Sequence, residues 1–412
     1  MANQLALLHP FPLKSITKRK AVDLKKIEVN PLVLGGAAIV LIVSSLYTGD
    51  ALSGMLPNPF LKPTQKVDFS SLNTIYGLMQ RNFDGKIDSQ KALDGAKAGL
   101  VAAGGDPYTV YMDAKSAKDL SDNLNGKLSG IGAEIGIKNN ILTIISPIDD
   151  TPAAAAGLKS GDLIAKINNE DTSGMSVDTA VSKIRGTAGT KVTLKIVRSG
   201  QDPMDVTITR AEITVKSVKW SMKNGNVAYI DISRFGSDTA SLVDQAAAEL
   251  KSQGATKVIL DLRNDGGGYL DAGVSVASQF LDSGKTVVSE RTDGKTTNTL
   301  TAAAGGKLIG LPTIVLINGG SASASEIVAG ALHDNKVAKL EGEKSFGKGS
   351  VQEIKDLPGG AQLKVTVAHW YTPGGININK EGIKPDVEVK LTTENYNASQ
   401  DPQLDKALEL LK

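Results

Sequence analysis

Three serines and one lysine are the side chains whose types and spacing offer chemistry. Ser321, Ser323 and Ser325 fall in Asn318-Gly-Gly-Ser-Ala-Ser-Ala-Ser-Glu326, between the apolar run Thr313–Ile317 and an apolar helical pattern reaching His333. A strand, a turn of small residues and a helix display a serine hydroxyl at the top of a sheet, beside the first N–H groups of the helix. Those donors favour the anion that acyl transfer creates on a carbonyl oxygen. Ser325, followed by Glu326, reads as the helix cap. The spacing alone leaves the nucleophile open among the three.

A serine needs a base. The chain has no cysteine, which excludes a thiol nucleophile, disulfides and thiolate metal sites. His9, His333 and His369 are scattered, with no HExxH pair, and His333 lies at the far end of the helix that follows the serines. The other candidate is Lys348 in Ser345-Phe-Gly-Lys-Gly-Ser-Val-Gln352. A lysine accepts a proton only where desolvation or a nearby positive charge leaves its amine neutral. The flanking glycines let the backbone close around it, and Phe346 reads as a residue that dries the site. In an extended segment residues 348, 350 and 352 face one way, so Gln352 is expected beside the amine, orienting it without adding charge.

The elements that must hold these groups can be read from periodicity. From residue 214 strands alternate with helices: Val227–Ile232, a helix over 238–252, Val258–Leu262, a helix after Gly268, Thr286–Ser289, Thr313–Asn318, a helix over 325–333 and further strands to Ala368. That order predicts an α/β core with partly parallel strands. Residues 127–213 read as short strands (Gly132–Ile137, Ile141–Ile145, Leu163–Ile167, Lys191–Val197, Asp205–Thr209) separated by turns and short helices. Within them Thr151-Pro-Ala-Ala-Ala-Ala-Gly-Leu-Lys-Ser-Gly-Asp-Leu-Ile-Ala-Lys-Ile-Asn168 resembles the phrase that opens the second half of a PDZ domain. Such domains offer backbone N–H groups to a peptide's terminal carboxylate and add the peptide to a sheet edge. Gly130-Ile131-Gly132-Ala133 stands at the matching place.

Further upstream, apolar residues at helical spacing (Leu72, Ile75, Leu78, Met79; Leu93, Ala96, Leu100) predict short helices, for which a stalk is the plain reading. Residues 31–47 are uncharged and apolar over about the length that crosses a bilayer. They follow six basic side chains set against Asp23 and Glu28, so the positive-inside rule expects residues 1–30 in the cytoplasm and the catalytic part outside a cell membrane spanned once. A cleaved signal peptide is the alternative. The net charge of the 412 residues is only +2, which gives no nucleic-acid surface.

Phrase by phrase, from residue 67 to the C-terminus, the chain resembles the C-terminal processing peptidases, also called tail-specific proteases. Ser321–Leu332 and Phe346–Gln352 carry the resemblance, with Gly105–Tyr111, Asp261–Gly268, Trp370–Pro373 and Gly382–Asp386. Hydropathy and charge thus predict a cytoplasmic tail 1–30, transmembrane helix 31–47 and linker 48–66, and the resemblance implies that a multidomain α/β and α+β protein follows: helical region 67–126, PDZ domain 127–213, ClpP/crotonase-like peptidase core 214–395 and C-terminal helix 396–412. It implies Ser323 as nucleophile, Lys348 as base and Gln352 as the residue that places the lysine. Ala324 and Gly267 or Gly268 would hold the oxyanion, and Arg185 would take part in a PDZ gate. Asp265, beside those glycines, is read as a variable position without a role. Neither metal nor organic cofactor is expected. Expected partners are proteins with flexible apolar C-termini, with a homodimer through residues 67–100 and the final helix, and an activating adaptor, both compatible with the resemblance.

Overall fold

The computed structural model describes residues 67–148 and 150–412, so the basic tail and the apolar segment 31–47 lie outside the described residues. Among the described residues no helix is long and apolar enough to cross a membrane. Residues 67–87 belong to a unit separate from the rest. They carry helix α1 (Ser70–Asn82), which exposes Leu72, Ile75, Leu78 and Met79.

The second unit, from Asp88 onward, opens with α2 (Ser89–Ala102), capped by the Asp88 carboxylate. It leads into strand β1 (Val110–Met112) and α3 (Ala114–Leu124). The β-rich region then runs β2 (Lys127–Gly130), β3 (Ala133–Lys138), β4 (Ile141–Pro147), α4 (Pro152–Ala155), β5 (Leu163–Ile167), β6 (Glu170–Asp171), α5 (Val177–Ile184), β7 (Lys191–Val197), β8 (Met204–Thr209) and β9 (Ala211–Thr214). Strands β3-β4-β5-β7-β8 form one sheet in that order, while β2 pairs with β9 and so closes the module at its entrance and exit. Alternate residues of β7, Val192, Leu194 and Ile196, are buried and build the module's own apolar core with Ile144, Ile164 and Ile208.

The remaining chain carries β10 (Val218–Lys223), β11 (Val227–Ile232), α6 (Thr239–Ser252), β12 (Lys257–Asp261), α7 (Leu270–Ser278), β13 (Thr286–Thr292), β14 (Lys295–Thr301), β15 (Thr313–Ile317), α8 (Ala324–Asp334), β16 (Ala338–Gly342), β17 (Ser350–Asp356), β18 (Gln362–Tyr371), β19 (Val387–Glu388), α9 (Thr393–Asn397) and α10 (Pro402–Leu410). The central sheet has the order β10-β11-β12-β15-β16-β19, parallel from β11 onward. Its inner strands are buried on both faces, which explains their unbroken apolar runs. Val258, Leu260, Val315 and Ile317 face the layer of α6, α7 and α8, whereas Ile259, Ile314 and Leu316 face Ala407 and Leu411. The final helix, expected as a pairing surface, thus buries its apolar side against its own sheet. A second sheet, β1-β18-β13-β14 with β17 paired to β18, stands beside the first and takes β1 from the N-terminal side of the module. The expected helices and strands are present within a few residues, and α3, α9, β1, β2, β6, β9, β10, β14 and β19 are additional.

Candidate active site

The turn from β15 into α8 separates the three serines by their partners. Ser321 is fully buried, donating from Oγ to the Leu262 carbonyl (2.7 Å) and accepting from Asn318 N–H (3.0 Å). Ser325 is also buried, and its hydroxyl donates to the Asp265 carbonyl (2.8 Å). It is not the cap: α8 begins at Ala324 and the cap position belongs to Ser323. Short local spacing could not tell these apart, because the cap stands two residues before Ser325, ahead of the apolar residues that mark the helix. Ser323 has φ 57° and ψ −114°, a backbone conformation that a residue with a Cβ adopts only when its surroundings impose it.

Glu326 is part of what imposes it. Its carboxylate is buried, and Oε2 accepts from Ser323 N–H (2.9 Å) and Lys348 N–H (2.9 Å). Oε1 accepts from Ser345 Oγ (2.6 Å) and Gly347 N–H (2.7 Å). One carboxylate therefore joins the serine turn to the lysine loop. The sequence showed Glu326 only as a neighbour of a helix start, and nothing local reveals bonds that cross about twenty residues of chain.

Ser323, Ala324, Gly266, Gly267, Gly268, Lys348, Ser350 and Gln352 line one cavity of about 310 Å³, together with Leu120, Leu124, Leu270, Ile327, Ile354, Lys364 and Trp370. The expectation that residues 348, 350 and 352 share a side holds, and Ile354 continues the row. Gln352 donates to Ser350 Oγ (3.0 Å). Burial, followed by the Lys364 ammonium, pulls the Lys348 amine below its usual range, while Glu326 opposes the shift. The Lys348 Nζ lies 5.7 Å from the centroid of the Tyr108 ring. Tyr108 belongs to the Gly105–Tyr111 motif, whose Asp106 accepts from Tyr108 N–H and Thr109 Oγ1 while Thr109 Oγ1 accepts from Thr366 N–H of β18. That motif stitches the chain into the second sheet beside the lysine. Phe346 does not dry the site: it is 56% exposed and lies outside the cavity lining. Neither described histidine lines the cavity, and His333 faces Asp334 and Asp386 instead.

The glycine run closes against the serine. A Cβ on Gly267 would stand 2.6 Å from the Ala322 carbonyl oxygen and 2.8 Å from Ser323 Cβ, and one on Gly268 would stand 2.1 Å from the Phe235 carbonyl oxygen. The two differ in their amides: Gly267 N–H donates to Asp265 Oδ1 (2.8 Å). Asp265 is wholly buried, with Oδ2 lacking a partner among the described residues. Burial above all pushes its carboxyl up to about 8, against the Gly267 bond.

In the β-rich module, Gly130, Ile131, Gly132, Ala133 and Arg185 border a second cavity of about 110 Å³, between β3 and α5, with Ile135 and Val181 on its sides. Arg185 is the exposed residue that ends α5. The arginine that sequence reasoning missed is Arg210, buried, with Nε on the Ile184 carbonyl (2.6 Å) and Nη1 on the Lys191 carbonyl (2.8 Å). The module and the serine cavity are joined by α3, whose Leu120 and Leu124 cover the cavity and whose chain continues into β2. Arg234 of the core donates from Nε to the Leu124 carbonyl at its end (3.4 Å).

Comparison with known proteins gives matches over most of the chain. The model of peptidase family S41 matches residues 226–389, the PDZ domain model residues 119–197, and the model of the activating protease CtpB N-terminal domain residues 47–116. The carboxy-terminal processing protease CtpA of Bacillus subtilis is 38% identical over 323 residues, covering 78% of this chain and 69% of that protein. A carboxy-terminal-processing protease of Bartonella bacilliformis is 42% identical over 308 residues, 74% of this chain and 70% of the relative. Among solved structures, the photosystem II D1 C-terminal processing protease is 29% identical with a TM-score of 0.51, over 79% of this chain and 89% of its own.

Proposed function

Since the chain belongs to the carboxy-terminal processing serine proteases of peptidase family S41 and carries their PDZ domain, we propose that it cleaves through an acyl-enzyme formed on Ser323 with Lys348 as general base. The observation that carries this reading is the shared cavity, in which Ser323 is the one serine of its turn whose hydroxyl is not engaged with a backbone carbonyl, facing an amine that burial has pulled toward neutrality.

Lys348 Nζ takes the proton as Ser323 Oγ bonds to the scissile carbonyl carbon. The oxyanion accepts from Ala324 N–H, which as the first amide of α8 has no carbonyl behind it, and from Gly268 N–H. Gly267 has its amide on Asp265, and its missing Cβ leaves room for the substrate carbonyl. Collapse of the intermediate breaks the C–N bond, and Lys348 returns its proton to the leaving amine. A water then gives its proton to Lys348 while its oxygen attacks the ester, releasing the new carboxylate and the Ser323 hydroxyl. Gln352 holds its amide in the same row as the amine, on Ser350. The apolar side chains around the cavity suit an apolar residue at the cleaved bond.

The substrate's flexible C-terminus would enter between β3 and α5, adding a strand to β3, its carboxylate meeting the Gly130–Ala133 loop with Arg185 at the rim. The basic tail followed by the apolar segment 31–47 supports a single membrane anchor with the protease outside the cytoplasm. The apolar residues that α1 and α2 expose support pairing of two chains or docking of an activating partner.

Cleavage of an unfolded protein by the single variants tests the dyad. Ser323→Ala and Lys348→Ala should each lower kcat by about 10³-fold or more, and His333→Ala should leave it near the parent value. Full activity in Lys348→Ala would remove the lysine from the mechanism.

A further inference from the structure

A second lysine faces the same cavity. Lys364 lies on β18 directly opposite Ile354 of β17, so it continues the row made by Lys348, Ser350, Gln352 and Ile354. On its other side its register partner is Val110 of β1. Both strand neighbours are apolar, the side chain is half-buried, and among the described residues no carboxylate pairs with its ammonium. Its ammonium therefore stands on the wall of the cavity without a carboxylate to compensate it. Its location, on the wall of the cavity that Lys348 also lines, gives that charge a use.

The groups that face Lys348 are Glu326 from α8, the Tyr108 ring from the segment before β1, and Lys364 from β18. Glu326 and the ring face both favour a charged amine. Against them stand burial and Lys364 alone. Resting on the Ser323–Lys348 reading, we infer that Lys364 is a positioning residue for the proton transfer: on the cavity wall it shares with Lys348, its positive charge disfavours a second one and so favours acceptance of the serine proton.

The test is the pH dependence of kcat/KM for the full chain on dye-labelled unfolded casein, comparing the parent with Lys364→Met and Lys364→Arg. Protonated Lys348 is inactive, so activity rises with pH on the acid limb. Lys364→Met keeps the length and loses the charge: its acid limb should move to higher pH, with activity at pH 7 reduced about tenfold and regained as the pH rises. Lys364→Arg should keep the parent profile. An unmoved acid limb in Lys364→Met, or the same shift in both variants, overturns the inference. So does a rise in KM on an unmoved limb, the signature of a lysine that only holds a substrate carboxylate. Should Lys364→Met fail to fold, Lys364→Gln supplies the same comparison. Lys348→Ala is measured alongside: retained cleavage there defeats the base assignment itself, whereas abolished cleavage with an unmoved Lys364→Met limb defeats the role of Lys364 only.

Discussion

At the residue scale two side chains in and beside the site are shifted from their ordinary protonation. Lys348 is shifted toward the neutral amine by burial and by Lys364, and Asp265 toward the neutral acid by burial. Asp231 adds to the shift of Asp265, and Arg234 opposes it. The folded chain then keeps a proton at Asp265 that the unfolded chain releases near the ordinary carboxyl value. Stability should therefore be fullest below about pH 4 as far as this group is concerned, and should fall as the pH climbs toward about 8, at up to about 1.4 kcal/mol per pH unit. Asp265→Asn keeps an acceptor for Gly267 N–H and cannot ionise. Its unfolding free energy, followed by urea titration between pH 5 and 8, should decline less steeply than the parent's, with cleavage kept at pH 7. Equal slopes would show that the group is already ionised in the folded chain.

At the element scale, Ser323 and Lys348, the proposed dyad, sit on two segments that never pair as strands. The turn before α8 carries Ser323, the loop before β17 carries Lys348, and the Glu326 carboxylate binds amides of both. Glu326→Gln retains the volume but turns an NH2 group toward donors, leaving buried N–H groups without acceptors. We expect kcat to fall about 10²-fold or more with a much smaller change in KM, since the loss is of geometry at the reacting atoms rather than of substrate contact. A variant with kcat within a factor of two of the parent would show that the turn and loop hold their places without the carboxylate. The element that ties site to module is α3, with Leu120 and Leu124 on the cavity and β2 next in the chain. Movement at the mouth of the cavity between β3 and α5 thus has a short covalent route to the wall of the site.

At the scale of the whole molecule, the C-terminal segment locks the sheet that carries the site. Arg263, two residues after the end of β12, places Nη1 and Nη2 on the two Asp401 oxygens (2.8 Å each), Nε on Asp261 Oδ1 (2.9 Å) and Nη1 also on Gln403 Oε1 (2.9 Å). The Tyr229 hydroxyl donates to the same Asp261 (2.7 Å). The PDZ module reaches this segment too, through Lys138 Nζ on Ser399 Oγ (2.9 Å). Arg263→Met removes the cation and leaves its carboxylates behind. Unfolding in denaturant should show a loss of about 3–5 kcal/mol. A loss under 1 kcal/mol would mean that the C-terminal segment is held by the apolar contacts of α10 alone.

The amino-acid sequence by itself determined the parts whose causes are local. The strand, small-residue turn and helix at 313–334 follow from β-branched and small residues in order. The β-rich module follows from alternation and the Gly157-Leu-Lys-Ser-Gly-Asp162 turn, and the row through 348, 350 and 352 follows from the period of an extended chain. The choice of Ser323 from three serines required the family resemblance, because all three have the same local surroundings. Only tertiary structure decided what each hydroxyl meets: the carbonyls that engage Ser321 and Ser325 come from a loop about sixty residues earlier in the chain. The same holds for Glu326 as a clamp, Tyr108 under the amine, Gly267 bound to a buried acid, and Lys364 opposite Ile354. Each depends on which strand ends a fold brings together, and periodicity along one segment carries no information about its neighbour in another.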